Sequence, residues 1–338
     1  MSVGRAKQLN SVFKIAMNKQ LALQGVVPPI ATPLTDEGRV DEPSLRRLVR
    51  FLLSAGVHGI LANGTMGGFA FLTDEEQIRA ISIVVDEVKG ALPIIGCVGE
   101  TSTSRAIRKV QQIQGCGVTH LAVLSPFYYF AGQEHLMAYF SEIASVVDLP
   151  ILIYDNPVMT KNRILPETVA TLRRHIPRIV GIKESDADCV NLQNLLALTL
   201  DDKEFSVLTG NECLILVGLQ MGCSGFIGGL HNLCPHLAVA LYDAFRAGHL
   251  EIARDLQRDM IQAWRLFQYG NVWGGFDEAL RYLEIAERAT GAPYVSKLSP
   301  WEADEVHAII ERFVKPYLRR GKVTPKGAAM KDSWERKK

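Results

Sequence analysis

The amino-acid sequence predicts an α/β protein with a (β/α)8 TIM barrel and a C-terminal helical appendage, from two observations. Short apolar, β-branched runs alternate eight times with longer segments of helical periodicity. The runs are continuously apolar, as in Ile151–Ile153, which is typical of parallel strands covered on both faces. Eight such units favour a closed barrel. An open doubly wound sheet would normally have fewer strands and a glycine fingerprint after the first, and none follows Leu34.

The predicted strands are bounded by turn residues and helix-start signals. Thr73 with Glu76, and Ser299 with Glu302, have the spacing of a capping box, and Pro166 suits a first helical position. The strands are predicted at Gly25–Leu34, Gly59–Asn63, Leu92–Gly99, His120–Pro126, Pro150–Asn156, Ile179–Ser185, Phe205–Asn211 and Gly225–Gly229.

After Cys234 the strand signals end and only helical segments follow. These are predicted at Pro235–Ala247, Glu251–Gln268, Gly275–Thr290 and Pro300–Tyr317. The first closes the barrel and the others form the appendage. The predicted organisation is an N-terminal extension over 1–24, the barrel over 25–250, a C-terminal helical domain over 251–318, and a basic, disordered tail over 319–338.

Composition excludes several classes of protein. A formal net charge of +1 gives no electrostatic reason to expect nucleic acid or an anionic membrane as a partner. No apolar run approaches the ~20 residues of a membrane span. Lys14 and Lys19 interrupt the apolar residues that a secretory signal would need. The six cysteines lack zinc-site spacing, so reduced thiols, no metal and a cytoplasmic location are predicted.

Lys183 is the first candidate catalytic residue because it lies in an otherwise apolar strand, Ile179–Glu184. Strand alternation predicts that Val180 and Ile182 face the helices, and that Gly181 and Lys183 face the barrel interior. Gly181 would leave space beneath the lysine. Desolvation there favours the neutral amine, which is the nucleophile that a carbonyl requires. The alternatives are a lysine that extends out of the barrel mouth or one paired with Glu184.

Two further features point to the same chemistry. The same alternation turns Tyr154 inward on the neighbouring strand, where a phenol can transfer a proton, although a core tyrosine with a satisfied hydroxyl is the alternative. The glycine-rich turn Gly64–Gly68 follows the second strand, and its backbone N–H groups can bind a carboxylate. A tight connection with no binding role is the alternative there.

Four motifs together resemble the dihydrodipicolinate synthase/N-acetylneuraminate lyase family of class I aldolases, over roughly Gly25 to Tyr317. They occur in the order and spacing of that family and are Gly64-Thr65-Met66-Gly67, Ser125-Pro126-Phe127-Tyr128-Tyr129, Tyr154-Asp155-Asn156-Pro157 and Gly181-Ile182-Lys183-Glu184-Ser185.

The resemblance implies pyruvate, or the pyruvoyl end of a longer 2-keto acid, bound to Lys183 as an imine. It further implies that Tyr154 transfers protons, that Thr65 relays them, and that Tyr128 completes the hydroxyl chain, in many members across a subunit contact. The Thr65–Met66 backbone would bind the carboxylate. Other residues implied to line the substrate site are Gly64, Met159, Gly210 and Ile227. The family implies a homotetramer built from dimers, with neither metal nor organic cofactor.

Departures from the family pattern bear on the substrate. The synthase branch has an arginine five residues after the strand-five tyrosine, where this chain has Met159, and Lys161 nearby cannot offer the same bidentate fork. Met66 replaces the second hydroxyl of the turn, and Gly68 replaces an acidic residue. Dihydrodipicolinate synthesis therefore remains an alternative and is not the favoured reaction.

The lyase branch is also only partly matched. Its acidic pair after strand seven is Glu212-Cys213 here, and a serine near strand eight is Gly229. Together with Met66 and Met159, Phe127 would make the outer pocket more apolar than in either branch. An aldolase or dehydratase acting on another 2-keto acid, such as a 2-keto-3-deoxy sugar acid, fits better.

Three other hypotheses stay open at this point. Gly228 and Gly229 end strand eight, where barrels often bind phosphate, although basic side chains are not near in the sequence. A catalytically silent ligand-binding relative is a second possibility, because Met66 and Gly68 replace side chains that could take part in the proton relay. A metal-dependent aldolase is the third, with His231 and His236 as the nearest ligands.

Overall fold

The computed structural model describes residues 22–318, and it forms an eight-stranded parallel barrel surrounded by helices. Most of the predicted N-terminal extension and all of the predicted tail lie outside the described residues. The strands are β1 Gly25–Val26, β2 Ile60–Ala62, β3 Ile94–Val98, β4 His120–Leu124, β5 Ile151–Asp155, β6 Ile179–Glu184, β7 Ser206–Thr209 and β8 Gly225–Phe226.

The strands pair in the order β1-β8-β7-β6-β5-β4-β3-β2, and every pair is parallel. A single bridge between Pro29 and Leu61 joins the ends of this order, with Ile30 N–H donating to the Leu61 carbonyl over 2.9 Å. The sheet therefore closes on itself, as the eight alternations predicted. The first strand is shorter than predicted because Pro28, Pro29 and Pro33 cannot donate to a strand ladder.

Helices follow the strands as βα units require. The barrel helices are α1 Glu42–Ser54, α2 Asp74–Val88, α3 Thr103–Gln114, α4 Gln133–Ser145, α5 Pro157–Thr160, α6 Pro166–His175, α7 Cys189–Thr199, α8 Ile215–Met221 and α9 Pro235–Arg246. The remaining helices are α10 Leu250–Trp264, α11 Asn271–Tyr282, α12 Pro300–Ile309 and α13 Lys315–Leu318. The C-terminal helices are thus present, and the boundary at residue 250 stays a prediction.

The helix-start signals have two outcomes. Ser299 and Glu302 form both halves of the predicted capping box. Thr73 accepts from the Glu76 backbone N–H, but the Glu76 carboxylate accepts instead from the Val40 backbone N–H over 2.5 Å. The second pattern therefore forms only half of a capping box, because Glu76 fixes the loop before α1.

Two apolar clusters make the core. The larger lies between the sheet and the helices. The smaller fills the barrel interior and includes Leu23, Val27, Leu61, Ile95, Cys97, Ala122, Leu124, Leu152, Tyr154, Val180, Leu208 and Ile227. Ile151 and Ile153 belong to the outer cluster, on the opposite face of β5 from Tyr154. The interior is therefore a packed core, and only its upper end is available for a ligand.

The predicted orientation of Val180 was wrong. Val180 packs in the interior cluster, whereas alternation from Ile182 had turned it toward the helices. The register between β5 and β6 shifts after Ile151, where Leu152 pairs with Gly181, and this irregularity breaks the two-residue period. Gly181 serves the close approach of β7, since an added Cβ would lie 2.5 Å from the Ser206 carbonyl oxygen.

Across the described range, no helix is both long and apolar enough to cross a membrane. The six cysteines form no disulfide.

Candidate active site

Lys183 points into the upper end of the barrel and is buried. Its neighbour across the sheet is Tyr154, and the lysine Nζ lies 4.0 Å from the centre of the tyrosine ring. The residue is only 4% exposed, so it does not extend out of the barrel mouth. Glu184 faces the other side of the sheet, where its Oε1 accepts from the Asp186 backbone N–H. Both alternatives to an inward, unpaired lysine are therefore removed.

No carboxylate between residues 22 and 318 lies within ion-pair distance of Lys183. The nearest thiol in the barrel interior, Cys97, is neutral, because burial raises its pKa to about 12. Lys183 is therefore a buried amine without an ion-pair partner among residues 22–318, placed at the end of the barrel where the carbonyl of a ligand could reach it.

The Tyr154 hydroxyl is the centre of a short polar chain. It lies 3.1 Å from the Thr65 hydroxyl, and the Asn156 side-chain N–H donates to it over 3.2 Å. Tyr154 is 1% exposed, so its orientation is fixed by packing as well as by these bonds. Since Asn156 donates, the phenol is left to donate its own proton to Thr65 or to a ligand. The arrangement can move a proton to and from an atom bound near Lys183.

The glycine-rich turn presents unused backbone donors beside this chain. Within the described chain, neither the Thr65 N–H nor the Met66 N–H donates to a protein acceptor. The turn is held from behind, because Thr32 donates its hydroxyl to the Gly67 carbonyl over 2.8 Å. Gly68 has φ +74°, in the left-handed region, so a residue with a side chain would be strained there. Two free N–H groups on a fixed turn can hold a carboxylate.

A cavity of about 200 Å³ surrounds these groups. Its size suits a small organic acid rather than a nucleotide. Its lining residues are Pro29, Thr65, Met66, Tyr154, Asn156, Lys183, Ser185, Gly210, Glu212, Ile227, Gly229, Trp264, Phe267 and Val272. The structure therefore brings together six of the predicted site residues, namely Thr65, Met66, Tyr154, Lys183, Gly210 and Ile227.

Other predicted site residues do not line this cavity. Met159 lies on the short helix α5 and is 60% exposed. Gly64 is buried under the turn, where an added Cβ would meet Leu61. Tyr128 is exposed, with φ 84° and its ring against Tyr129, so a single chain does not bring it to Thr65.

The C-terminal segment supplies a wall of the cavity that sequence reasoning missed. Trp264 ends α10, Phe267 lies in the 3-10 turn that follows, and Val272 is the second residue of α11. These residues are about 80 positions from Lys183, and no local pattern marks them as site residues. Glu212 was noted only as a departure from a family pair, and the structure places it in the lining.

Two buried carboxyls lie directly behind the site, on the outward faces of β5 and β6. Asp155 pairs in register with Glu184, one position after Tyr154 and Lys183. Burial raises the pKa of Asp155 to about 7 and that of Glu184 to about 8. Arg163 opposes this effect on both, but it makes its ion pairs with Asp186 and Asp188 instead.

The rival sites do not assemble. His231 is fully buried beneath Gly228, with its ring 5.2 Å from that of Phe226, and burial lowers its pKa to about 3. The Asn232 side chain accepts a hydrogen bond from the Ala31 N–H and donates to the carbonyls of Pro29 and Gly229. Among residues 22–318, no three His, Cys, Asp or Glu side chains are close enough together to hold a metal.

A closed parallel barrel with an unpaired buried lysine and a phenol at its upper end defines a carbonyl-handling enzyme of the class I aldolase type. Comparison with known proteins agrees, since the model of the dihydrodipicolinate synthetase family matches residues 22–313. The chain belongs to that family. It is a lyase that joins a 2-keto acid to a lysine as a Schiff base, and the family resemblance predicted from the four motifs is confirmed.

Individual relatives give the same result. The chain is 37% identical over 244 residues to a 4-hydroxy-tetrahydrodipicolinate synthase of Methanopyrus kandleri, covering 72% of this chain and 81% of the relative. It is 32% identical to a DapA-like lyase of Halobacterium salinarum, covering 77% and 84%.

Among solved structures, a prophage protein of the dihydrodipicolinic acid synthase family from Escherichia coli, in complex with pyruvate, superposes with a TM-score of 0.82. That structure is 26% identical, and the match covers 86% of this chain and 98% of the other.

Proposed function

We propose that Lys183 is the lysine that carries the imine, with pyruvate or the pyruvoyl end of a longer 2-keto acid as its partner. The observation that supports this most is the burial of Lys183, without an ion-pair partner, against the Tyr154 ring. The reaction is carbon–carbon cleavage or condensation, or dehydration, at the carbons beyond the keto group.

The geometry supports a division of roles around the substrate. The amine of Lys183 attacks the keto carbon, and water leaves to give the imine. The protonated imine then acts as an electron sink, so that C3 can lose a proton or a carbon substituent and form an enamine. Tyr154 supplies and removes the protons, with Thr65 as relay and Asn156 orienting the phenol. The Thr65 and Met66 N–H groups bind the carboxylate.

We also propose that the protein acts in the cytoplasm as a homotetramer. Tyr128 supports this part of the proposal, because it is 83% exposed at a strained backbone position in one chain. Strained backbone persists where surrounding contacts hold it, and a partner subunit would supply such contacts. There Tyr128 would complete the hydroxyl chain that begins at Tyr154. Analytical ultracentrifugation of the wild type and of Tyr128→Ala tests this, with dissociation expected for the variant and an unchanged tetramer contradicting the role.

A second candidate reaction is 4-hydroxy-tetrahydrodipicolinate synthesis from pyruvate and aspartate semialdehyde. It is favoured by the name of the relative from Methanopyrus kandleri. Against it, Met159 occupies the position at which the synthase branch has a carboxylate-binding arginine, and it does not line the cavity.

One experiment tests the imine directly. The protein is incubated with pyruvate and sodium borohydride, digested, and analysed by mass spectrometry. We expect a reduced adduct on the peptide that contains Lys183. Folded protein without an adduct, or with the adduct on another lysine, would contradict the assignment.

A further inference from the structure

The cavity has one apolar wall, and the C-terminal segment provides most of it. The Trp264 ring lies 6.1 Å from that of Phe267, which stacks on Phe276 at 5.9 Å with an angle of 15° between the planes. Phe276 is fully buried, so the row is anchored in the core. A wall of this kind is rigid, and it presents an aromatic surface to whatever lies next to Lys183.

Two more residues extend this apolar surface across the barrel mouth. Met66 lies over Gly229, because a Cβ at that glycine would be 2.7 Å from the Met66 Cγ. Ile227 follows β8 and is 1% exposed. The part of the cavity beyond the lysine is therefore bounded by carbon and sulfur atoms on several sides.

The charged groups of the cavity leave nothing to bind a second anion. Lys183 and Glu212 are the charged side chains in the lining, and no arginine of the described residues joins them. Lys183 is consumed by the imine. The Glu212 carboxylate accepts from the Leu230 backbone N–H over 3.0 Å, and burial raises its pKa. A substrate tail with a carboxylate or phosphate would lose its hydration without gaining a cation.

Polar groups for a chain of hydroxyls are also scarce. Asn156 is engaged with Tyr154, the Glu212 carboxylate is engaged with the Leu230 N–H, and the Ser185 hydroxyl is the buried lining oxygen without a protein partner in the described part of the chain. One such group can serve one substrate hydroxyl. A sugar acid carries several hydroxyls, and each would be desolvated without a partner.

We propose that the substrate tail beyond the 2-keto acid carbons is an uncharged apolar or aromatic group, with a single hydroxyl at C4. This inference rests on the proposed imine at Lys183. It replaces the 2-keto-3-deoxy sugar acid suggested by the sequence with a 4-hydroxy-2-oxo acid that has a hydrocarbon substituent. Its tail packs against Trp264, Phe267 and Met66, and its C4 hydroxyl lies between Tyr154 and Ser185.

The reaction balances without a further reactant. In cleavage, Tyr154 passes its phenolic proton to the Thr65 hydroxyl as it accepts the proton of the C4 hydroxyl, the C3–C4 bond breaks, and its electron pair passes to the protonated imine to give an enamine. The C4 fragment leaves as an aldehyde. The enamine is then protonated at C3, and water releases pyruvate from Lys183. In condensation, the same steps run in reverse, and pyruvate adds to the aldehyde carbon.

The test compares three aldehydes as partners for pyruvate with the full-length protein. Benzaldehyde, glyceraldehyde and aspartate 4-semialdehyde are supplied in parallel, and the products are measured by mass spectrometry. We expect kcat/KM for benzaldehyde to exceed the other two by at least about tenfold. Faster turnover of either polar aldehyde overturns the inference. Borohydride trapping with pyruvate alone is measured on the same sample, so that an intact imine separates this failure from failure of the proposed function.

Two tryptophan variants locate the effect. Trp264→Ala removes the wall, and we expect KM for benzaldehyde to rise roughly tenfold while trapping of pyruvate on Lys183 is unchanged. Trp301→Ala is the matched control, because Trp301 is 65% exposed and does not line the cavity. Equal effects of both variants, or none from Trp264→Ala, would overturn the placement of the tail. A sample that gives no imine adduct overturns the inference together with the proposed function.

Discussion

The two faces of the β5–β6 strand pair differ in what their burial does. On the inner face, Tyr154 and Lys183 are neighbours, and on the outer face the next two positions are Asp155 and Glu184. All four side chains are at most 4% exposed. The inner pair meets a cavity in which a ligand can bind, whereas the outer pair is enclosed between sheet and helices.

The comparison shows that burial alone does not make a catalytic residue. Desolvation raises the pKa of both outer carboxyls, which is a feature often found at active sites. Yet the cavity lining includes neither of them. Access to a ligand distinguishes the inner lysine from the outer acids, so the two faces should respond differently to substitution.

The largest expected difference is between Lys183→Ala and Glu184→Gln. Lys183→Ala removes the amine that lines the cavity, so trapping of pyruvate and turnover should fall to background. Glu184→Gln preserves shape on the outer face and should retain the adduct. Circular dichroism checks that both variants fold. A persistent adduct in folded Lys183→Ala would move the imine to another lysine.

Tyr154→Phe is expected to have the next largest effect. It removes the hydroxyl that contacts Thr65 and Asn156 while the ring stays packed, so kcat should fall by about 100-fold or more. The imine should still form, more slowly, because Lys183 is intact. Steady-state kinetics combined with borohydride trapping separate the two steps. Undiminished turnover would show that another group transfers the proton.

Asp155→Asn tests whether the buried carboxyl on the outer face makes the free energy of unfolding depend on pH. The pKa of Asp155 is raised from an unfolded value near 3.8 to about 7, so the folded state keeps a proton that the unfolded state loses. The contribution of the Asp155 proton to the free energy of unfolding is therefore complete below about pH 4, and it is lost as the pH rises toward 7. The variant should lose this decrease and gain roughly 2–4 kcal/mol relative to wild type at pH 8.

Urea unfolding at several pH values measures this effect. Thr209→Val, at another buried polar position of the barrel, serves as a control without a titratable group. Parallel pH profiles for wild type and Asp155→Asn would contradict the raised pKa.

Asn156→Ala is expected to have the smallest effect. It deletes one neutral hydrogen bond to the Tyr154 hydroxyl, so kcat should fall by about 3- to 10-fold. KM for pyruvate should stay nearly constant, since the proposed carboxylate site is the backbone of Thr65 and Met66 and not Asn156. A change in KM alone would mean that Asn156 contacts the substrate rather than the phenol.

Hydrophobic periodicity and the order of the motifs were sufficient to predict the barrel and to predict that one lysine and one tyrosine point into it. A charged residue in an apolar strand and a tyrosine at the same level of the next strand are local signals, so Lys183 and Tyr154 could be placed from sequence. The orientation of Val180 could not be predicted from sequence, because the irregular register of β6 is set by its contact with the neighbouring strand.

Residues whose position depends on distant parts of the chain were also missed. Trp264 reaches the cavity only because α10 packs back over the barrel, and a helical tryptophan is in general a residue of the packed interior. Met159 was predicted at the substrate on its spacing from Tyr154, whereas it is 60% exposed on the short helix that follows Asn156 and does not line the cavity. The spacing between two residues predicts the relative directions of their side chains only while both lie in one continuous strand or helix.

The wall formed by Trp264 and Phe267 has a consequence for how this enzyme can be altered. Under the proposed roles, bond chemistry rests on barrel strands and their turns, while tail recognition rests largely on helices that follow the barrel. We therefore expect substitutions at Trp264, Phe267 and Val272 to change which aldehyde is accepted while the residues proposed to form the imine stay unchanged. A library that varies only these three residues is small enough to screen for catalysts that form new carbon–carbon bonds.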